Sequence, residues 1–249
     1  MRLPGQSCAE EMQRIEDDKM APLIGAMAFI PGLLATMWLF FLIDLHMTLS
    51  VLLFITILGA VVMLFGFRRL LTIRKTYRNF RLGHLGERFV AEELDRLRED
   101  GYRSYHDIAG NGFNIDHVLV GPSGIYSIET KTRRQSSQGS ARVCFDGGQV
   151  LVDGLAPDRD PIAQARRNAQ HLQQMLSHLV QGKLWVQPIV FFPGWEIDVK
   201  CCKTNAKAWV VNERTLNAVL WGENPRLSPE EIAKICEALD QRCREKEGA

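Results

Sequence analysis

Asp116-His117-Val118-Leu119-Val120-Gly121-Pro122-Ser123-Gly124-Ile125-Tyr126-Ser127-Ile128-Glu129-Thr130-Lys131 decides how this chain folds. An acidic residue opens one apolar run, Gly-Pro-Ser-Gly makes a turn, and Glu-Thr-Lys closes a second apolar run. Ile115, Val118, Val120, Ile125 and Ile128 mark the two runs as strands, and the turn joins them into an antiparallel hairpin. Pairing Val120 with Ile125 sets Asp116 opposite Glu129, and a period of two brings Lys131 onto the face of Glu129. Side chains opposed in this way have Cβ atoms roughly 5 Å apart. Two facing carboxylates repel unless a cation lies between them, and charges in so apolar a hairpin are exceptional. Asp116 and Glu129 are therefore candidate ligands for Mg2+ or Mn2+, which accept oxygen donors and keep positions for water and phosphate oxygens. A metal held there suits phosphodiester hydrolysis, because it acidifies its water and offsets charge on the phosphoryl oxygens. Lys131 would orient or deprotonate the attacking water, or offset the phosphate charge; the residues leave these roles open. His117 points to the opposite face and stays outside the group.

Outward from the hairpin, Leu82, Leu85, Phe89, Leu94 and Leu97 recur at helical spacing and predict a helix over 82–99, ended by Gly101. A strand is expected over 102–108, before the turn-like Ala109-Gly110-Asn111-Gly112. After a polar loop at 133–140, residues 142–145 and 149–152 read as a second hairpin around Asp146-Gly147-Gly148. Asp160 and Pro161 open a helix as N-cap and first helical residue, running to about Val180. Strands over 185–192 and 208–211 follow, and then two helices. The second of these starts at Ser228-Pro229-Glu230-Glu231, a capping box. This order predicts a mixed α/β or α+β sheet flanked by helices.

Upstream the composition changes. Residues 21–43 and 47–67 are nearly free of polar side chains, and each run is long enough to cross a hydrocarbon core, which needs about 20 helical residues. Only Asp44, Leu45 and His46 separate them, so a transmembrane helical hairpin is expected, with the lipid bilayer as its partner. An acidic segment, 1–20, precedes it, and a basic juxtamembrane linker, 68–81, follows. Arg68, Arg69, Arg74, Lys75, Arg78 and Arg81 stand there without an acid, and the connecting loop has no Lys or Arg. Both termini should then be cytoplasmic. The near-neutral total charge hides a split: residues 1–67 hold three basic and six acidic side chains, the remainder 27 and 23. A mildly basic soluble part is compatible with nucleic acid. None of the six cysteines forms a C-x2-C pair, which speaks against a structural zinc site and for reduced thiols.

Taken in order, Gly83-x-x-Gly86-Glu87, then Asn114-Ile115-Asp116-His117-Val118-Leu119-Val120 with its Gly-Pro-Ser-Gly turn, then Ile128-Glu129-Thr130-Lys131, and finally Gln164 resemble the nuclease-related domain (NERD) family of the PD-(D/E)XK nuclease superfamily. The resemblance runs from about Leu82 to Phe192. It implies a restriction-endonuclease-like sheet over 82–249 with its C-terminal helices, metal ligands at Asp116 and Glu129, and a catalytic lysine at Lys131. It further implies an accessory acid at Glu87 and a supporting residue at Gln164. Unlike many members, this chain has no cysteine-rich module after the domain, and its apolar hairpin comes first. The function expected is a membrane-anchored, metal-dependent nuclease acting on DNA or RNA. The rival is a nucleic-acid-binding or scaffold module that keeps the fold without cutting.

Overall fold

The computed structural model describes residues 3–43, 48–110, 113–134, 141–179, 184–199 and 208–247. The chain forms two compact units. One is Cys8–Arg81, and the other combines Met1–Ser7 with Leu82–Ala249.

The first unit is helical. α1 (Gln6–Ile15) passes through one π turn into α2 (Ala21–Leu42), and α3 (Leu49–Asp95) follows. Residues 68–81, expected as a linker, are helical and lie inside α3; the residues of α3 from Leu82 onward belong to the second unit. α2 and α3 lie side by side at small residues. A Cβ on Gly59 would meet Leu34, one on Gly66 would meet Met27, and Trp38 Nε1 donates to Thr56 Oγ1 at 3.2 Å. Glycines let two helical backbones approach closely, as in lipid-embedded pairs. Elsewhere on α2 and on residues 49–67 of α3 the surface is apolar: Ile24, Phe29, Phe40, Phe54, Ile57 and Phe65 are all exposed. Both helices are long and apolar enough to cross a membrane. The connecting residues 44–46 lie outside the described residues.

The second unit is a mixed α/β domain. Its large sheet holds β1 (Arg103–Ala109), β2 (Asn114–Gly121), β3 (Gly124–Thr130), β6 (Val186–Phe191) and β8 (Trp209–Val211), in the order β1-β2-β3-β6-β8. β1, β2 and β3 are antiparallel neighbours, whereas β6 runs parallel to β3 and β8 parallel to β6. A small sheet, β5-β4-β7, combines β4 (Arg142–Phe145), β5 (Val150–Val152) and β7 (Glu196–Val199). β7 is absent from the expected elements: Glu196-Ile197-Asp198-Val199 alternates acidic and apolar residues, but only over four positions, the shortest run that signals a strand. Its place comes from parallel pairing with β4.

Three helices complete the domain: α4 (Pro161–Leu176), α5 (Leu216–Trp221) and α6 (Pro229–Glu247). α4 starts where Asp160 accepts hydrogen bonds from the amides of Ile162 (2.9 Å) and Ala163 (3.2 Å). α6 starts at the reciprocal bonds between Ser228 and Glu231. On one sheet face Val118, Val120 and Ile125 pack with Ala169, Leu172 and Leu176 of α4 and with Ile235 and Leu239 of α6. On the other, Leu119, Tyr126 and Ile128 pack with Val90 and Leu94 of α3, with Leu97 in the turn that follows it, and with Leu216 and Leu220 of α5. The β2–β3 hairpin is thus buried on both sides, and a polar group on either face needs a partner of its own.

Candidate active site

The hairpin has the register its sequence predicts, His117↔Ile128, Val118↔Ser127, Leu119↔Tyr126 and Val120↔Ile125. Its turn is tighter than expected. Gly121 pairs with Gly124, which leaves Pro122-Ser123 as the bend, and Gly124 takes φ 140°, a backbone only glycine adopts freely. One step beyond the last pair, Asp116 Oδ2 accepts the Thr130 amide at 2.7 Å, which anchors the carboxylate beside Glu129.

Glu129 is only 3% exposed and is held at both oxygens. Lys131 Nζ donates to Oε1 at 2.7 Å, and Asn168 Nδ2 donates to Oε2 at 2.9 Å. Lys131 Nζ also donates to Gln164 Oε1 at 3.0 Å, and its own amide is fixed by Phe191 O at 2.9 Å. Three of the residues expected in the site, Glu129, Lys131 and Gln164, thus form one hydrogen-bonded chain, with Asp116 anchored at its edge. The last of the five, Glu87, arrives on α3. A Cβ on Gly86 would collide with the Thr132 side chain, so Gly86 is what lets α3 lie against the end of β3. That approach brings the Glu87 charge near enough to act on Asp116.

Electrostatically the group is loaded. Burial, and then the charges of Glu129 and Glu87, hold the Asp116 carboxyl well above the ordinary range, against the Thr130 amide and Lys131. Burial likewise raises Glu129, while Lys131, Asn168 and Arg167 pull it down. Crowded acids whose protons are hard to remove are what a divalent cation stabilises. Among the described residues no three of His, Cys, Asp and Glu converge as a complete ligand set. Two hard oxygen donors nevertheless fit Mg2+ or Mn2+, which keep several waters and share coordination with phosphate.

Asn168 escaped the sequence reading, although a signal for it exists. The buried stripe of α4 runs Ile162, Ala165, Asn168, Ala169, Leu172 and Leu176, and an amide in an apolar stripe asks for a buried partner. Asn168 stands one turn after Gln164, so the two amides reach the same carboxylate–lysine pair. Both also border an open cleft of about 650 Å3 whose rim includes Phe113, Asn114, Arg159, Arg167 and His171. The other face of β2 carries His117, whose Nδ1 lies 2.9 Å from that of His106. The structure keeps it out of the carboxylate group. Cys144 and Cys236 are free thiols.

Residues 82–193 match the family model of the nuclease-related domain (NERD). No curated protein and no solved structure matches the chain.

Proposed function

We propose, for a chain whose residues 82–193 are a nuclease-related domain of the PD-(D/E)XK-like type, that the protein is a membrane-anchored, metal-dependent nuclease hydrolysing phosphodiester bonds in DNA or RNA. One observation carries this reading: Lys131 Nζ sits between Glu129 and Gln164, beside an Asp116 crowded by other acids. Asp116 and Glu129 would hold Mg2+ or Mn2+, which when bound supplies an acidified water and a counter-charge for the phosphoryl oxygens.

The chain's own residues supply the rest. In hydrolysis the oxygen of water joins phosphorus, the bridging P–O bond breaks, and the departing oxygen takes a proton. The Lys131 ammonium has three N–H donors; two go to Glu129 and Gln164, leaving one for the water or a phosphate oxygen. Gln164 keeps the lysine from collapsing wholly onto Glu129. Asn168 stabilises the Glu129 carboxylate in a place where burial opposes it, and Glu87 adds negative charge that favours a bound cation. Since fixed dipoles and charges do most of the catalytic work in such sites, the preorganisation of Lys131 by two acceptors is the central feature.

α2 and α3 would anchor the domain in a bilayer, with Arg68, Arg69, Arg74, Lys75, Arg78 and Arg81 on the cytoplasmic side. A reporter fused after Ala249 should be active only in its cytoplasmic form. The opposite result overturns the orientation.

The catalytic reading is tested on the full chain in detergent, with linear, nicked and single-stranded DNA in Mg2+ or Mn2+, beside Asp116→Ala and Lys131→Ala. Wild type should cut and both variants should not; equal cleavage by all three removes the site assignment. A second reading, a binding module that keeps the fold, draws on the engagement of both Glu129 oxygens by Lys131 and Asn168. Binding that weakens with salt, without cleavage, would favour it.

A further inference from the structure

The cleft beside Gln164 and Asn168 combines three features that the hydrolytic reading does not use. Phe113 stands on its rim 37% exposed, and the ring is fixed in place. It meets His171 edge-on, with centroids 4.9 Å apart at 83°. Behind it lies Gly110, where even a Cβ would run into the ring and whose amide donates to Phe113 O at 2.7 Å. Arg159 and Arg167, both solvent-exposed, line the same cleft. Asp160, the one acid on that wall, is occupied in capping α4.

An exposed aromatic ring with guanidinium groups around it is what a nucleotide strand requires. The ring stacks a base, and the cations hold the phosphates on either side. A paired base has its faces covered by its neighbours, so only an unpaired one can use the ring. We infer that this cleft binds an unpaired nucleotide, its base stacked on Phe113 and its flanking phosphates held by Arg159 and Arg167. The substrate would then be single-stranded DNA or a frayed duplex end. This rests on the proposed function for the direction of the strand, which enters the carboxylate–lysine site past Gln164 and Asn168. Binding itself does not depend on cleavage.

The test uses the full chain in detergent, in EDTA so that nothing is cut, with fluorescently labelled oligo-dT, the same backbone without bases, and a blunt duplex. Wild type should bind oligo-dT about tenfold more tightly than the abasic strand or the duplex, the size expected of one stacked base. Phe113→Ala should erase that preference, and Phe113→Trp should keep it. Arg159→Ala with Arg167→Ala should weaken oligo-dT and abasic strands alike and flatten the salt dependence. Equal wild-type affinity for all three probes overturns the inference, as does a preference that survives Phe113→Ala in a protein with unchanged melting temperature. Preference dependent on Phe113 in a protein that never cuts with metal sustains the cleft and removes the nuclease. Cleavage that needs Asp116 but ignores base removal and Phe113 does the reverse.

Discussion

The two faces of the β2–β3 hairpin each bury polar groups, and they treat them in opposite ways. On one face Asp116 and Glu129 receive donors from β3, α4 and the chain end of β3, namely the Thr130 amide, Lys131 and Asn168. On the other, one residue along the strand, His117 is fully buried and shares a single contact with His106. Its Nε2 has no hydrogen-bond partner among the described residues. Burial drives both faces towards the neutral form, lifting the carboxyls and lowering the imidazoles. The imidazoles reach neutrality near ordinary pH by losing a proton. The carboxyls are pulled back towards the charged form by donors brought in from elsewhere, the Thr130 amide, Lys131 and Asn168.

The contrast can be broken most sharply at Lys131. Lys131→Ala should lower the cleavage rate by roughly 100- to 1,000-fold, the usual loss for one preorganised transition-state donor, while His106→Asn should leave the rate nearly unchanged. Comparable losses from both would make the two faces equivalent. Next in size is Asn168→Ala, which strips Glu129 of a charge-assisted hydrogen bond worth about 1.5–3 kcal/mol. The Glu129 carboxyl then titrates higher, so the acid limb of the pH–rate profile should move to higher pH. An unmoved limb would show that Asn168 does not support the carboxylate.

Stability should respond with opposite signs on the two faces. A carboxyl raised on folding binds its proton more tightly in the folded chain than in the unfolded one, whose Asp titrates near pH 3.9. Stability therefore falls as pH rises from about 4 through the displaced value. Asp116→Asn should accordingly raise the melting temperature in EDTA at pH 7, and a lower melting temperature would refute the repulsion. Smallest is the histidine effect. Imidazoles lowered on folding bind protons more readily in the unfolded chain, so stability is present above about pH 6.5 and lost as pH falls below it. Melting temperatures between pH 7 and 5 should fall less steeply in His106→Asn than in wild type, and parallel curves would sink this account.

Much of the carboxylate face was legible beforehand because a hairpin is local. A period of two and a four-residue turn motif are enough to put Asp116, Glu129 and Lys131 on one side, and the register follows that rule pair by pair. The helix starts at Asp160 and Ser228 were equally readable, since a cap needs only neighbouring amides. Asn168 was missed because its meaning depends on which strand α4 lies across. β7 was missed because the strand it pairs with lies more than 50 residues earlier in the chain.

By itself, then, the sequence determined the elements, two apolar helices, and a hairpin that carries acids and a lysine on one face, all set by spacing over a few residues. Tertiary structure decided the rest. Docking of Ala169 and Leu172 against β2 and β3 brings Gln164 and Asn168 to Lys131 and Glu129, and the bare backbone of Gly86 admits α3 and Glu87 to the side of Asp116. Spacing along a chain fixes which face a side chain takes, whereas only packing between elements fixes what it meets.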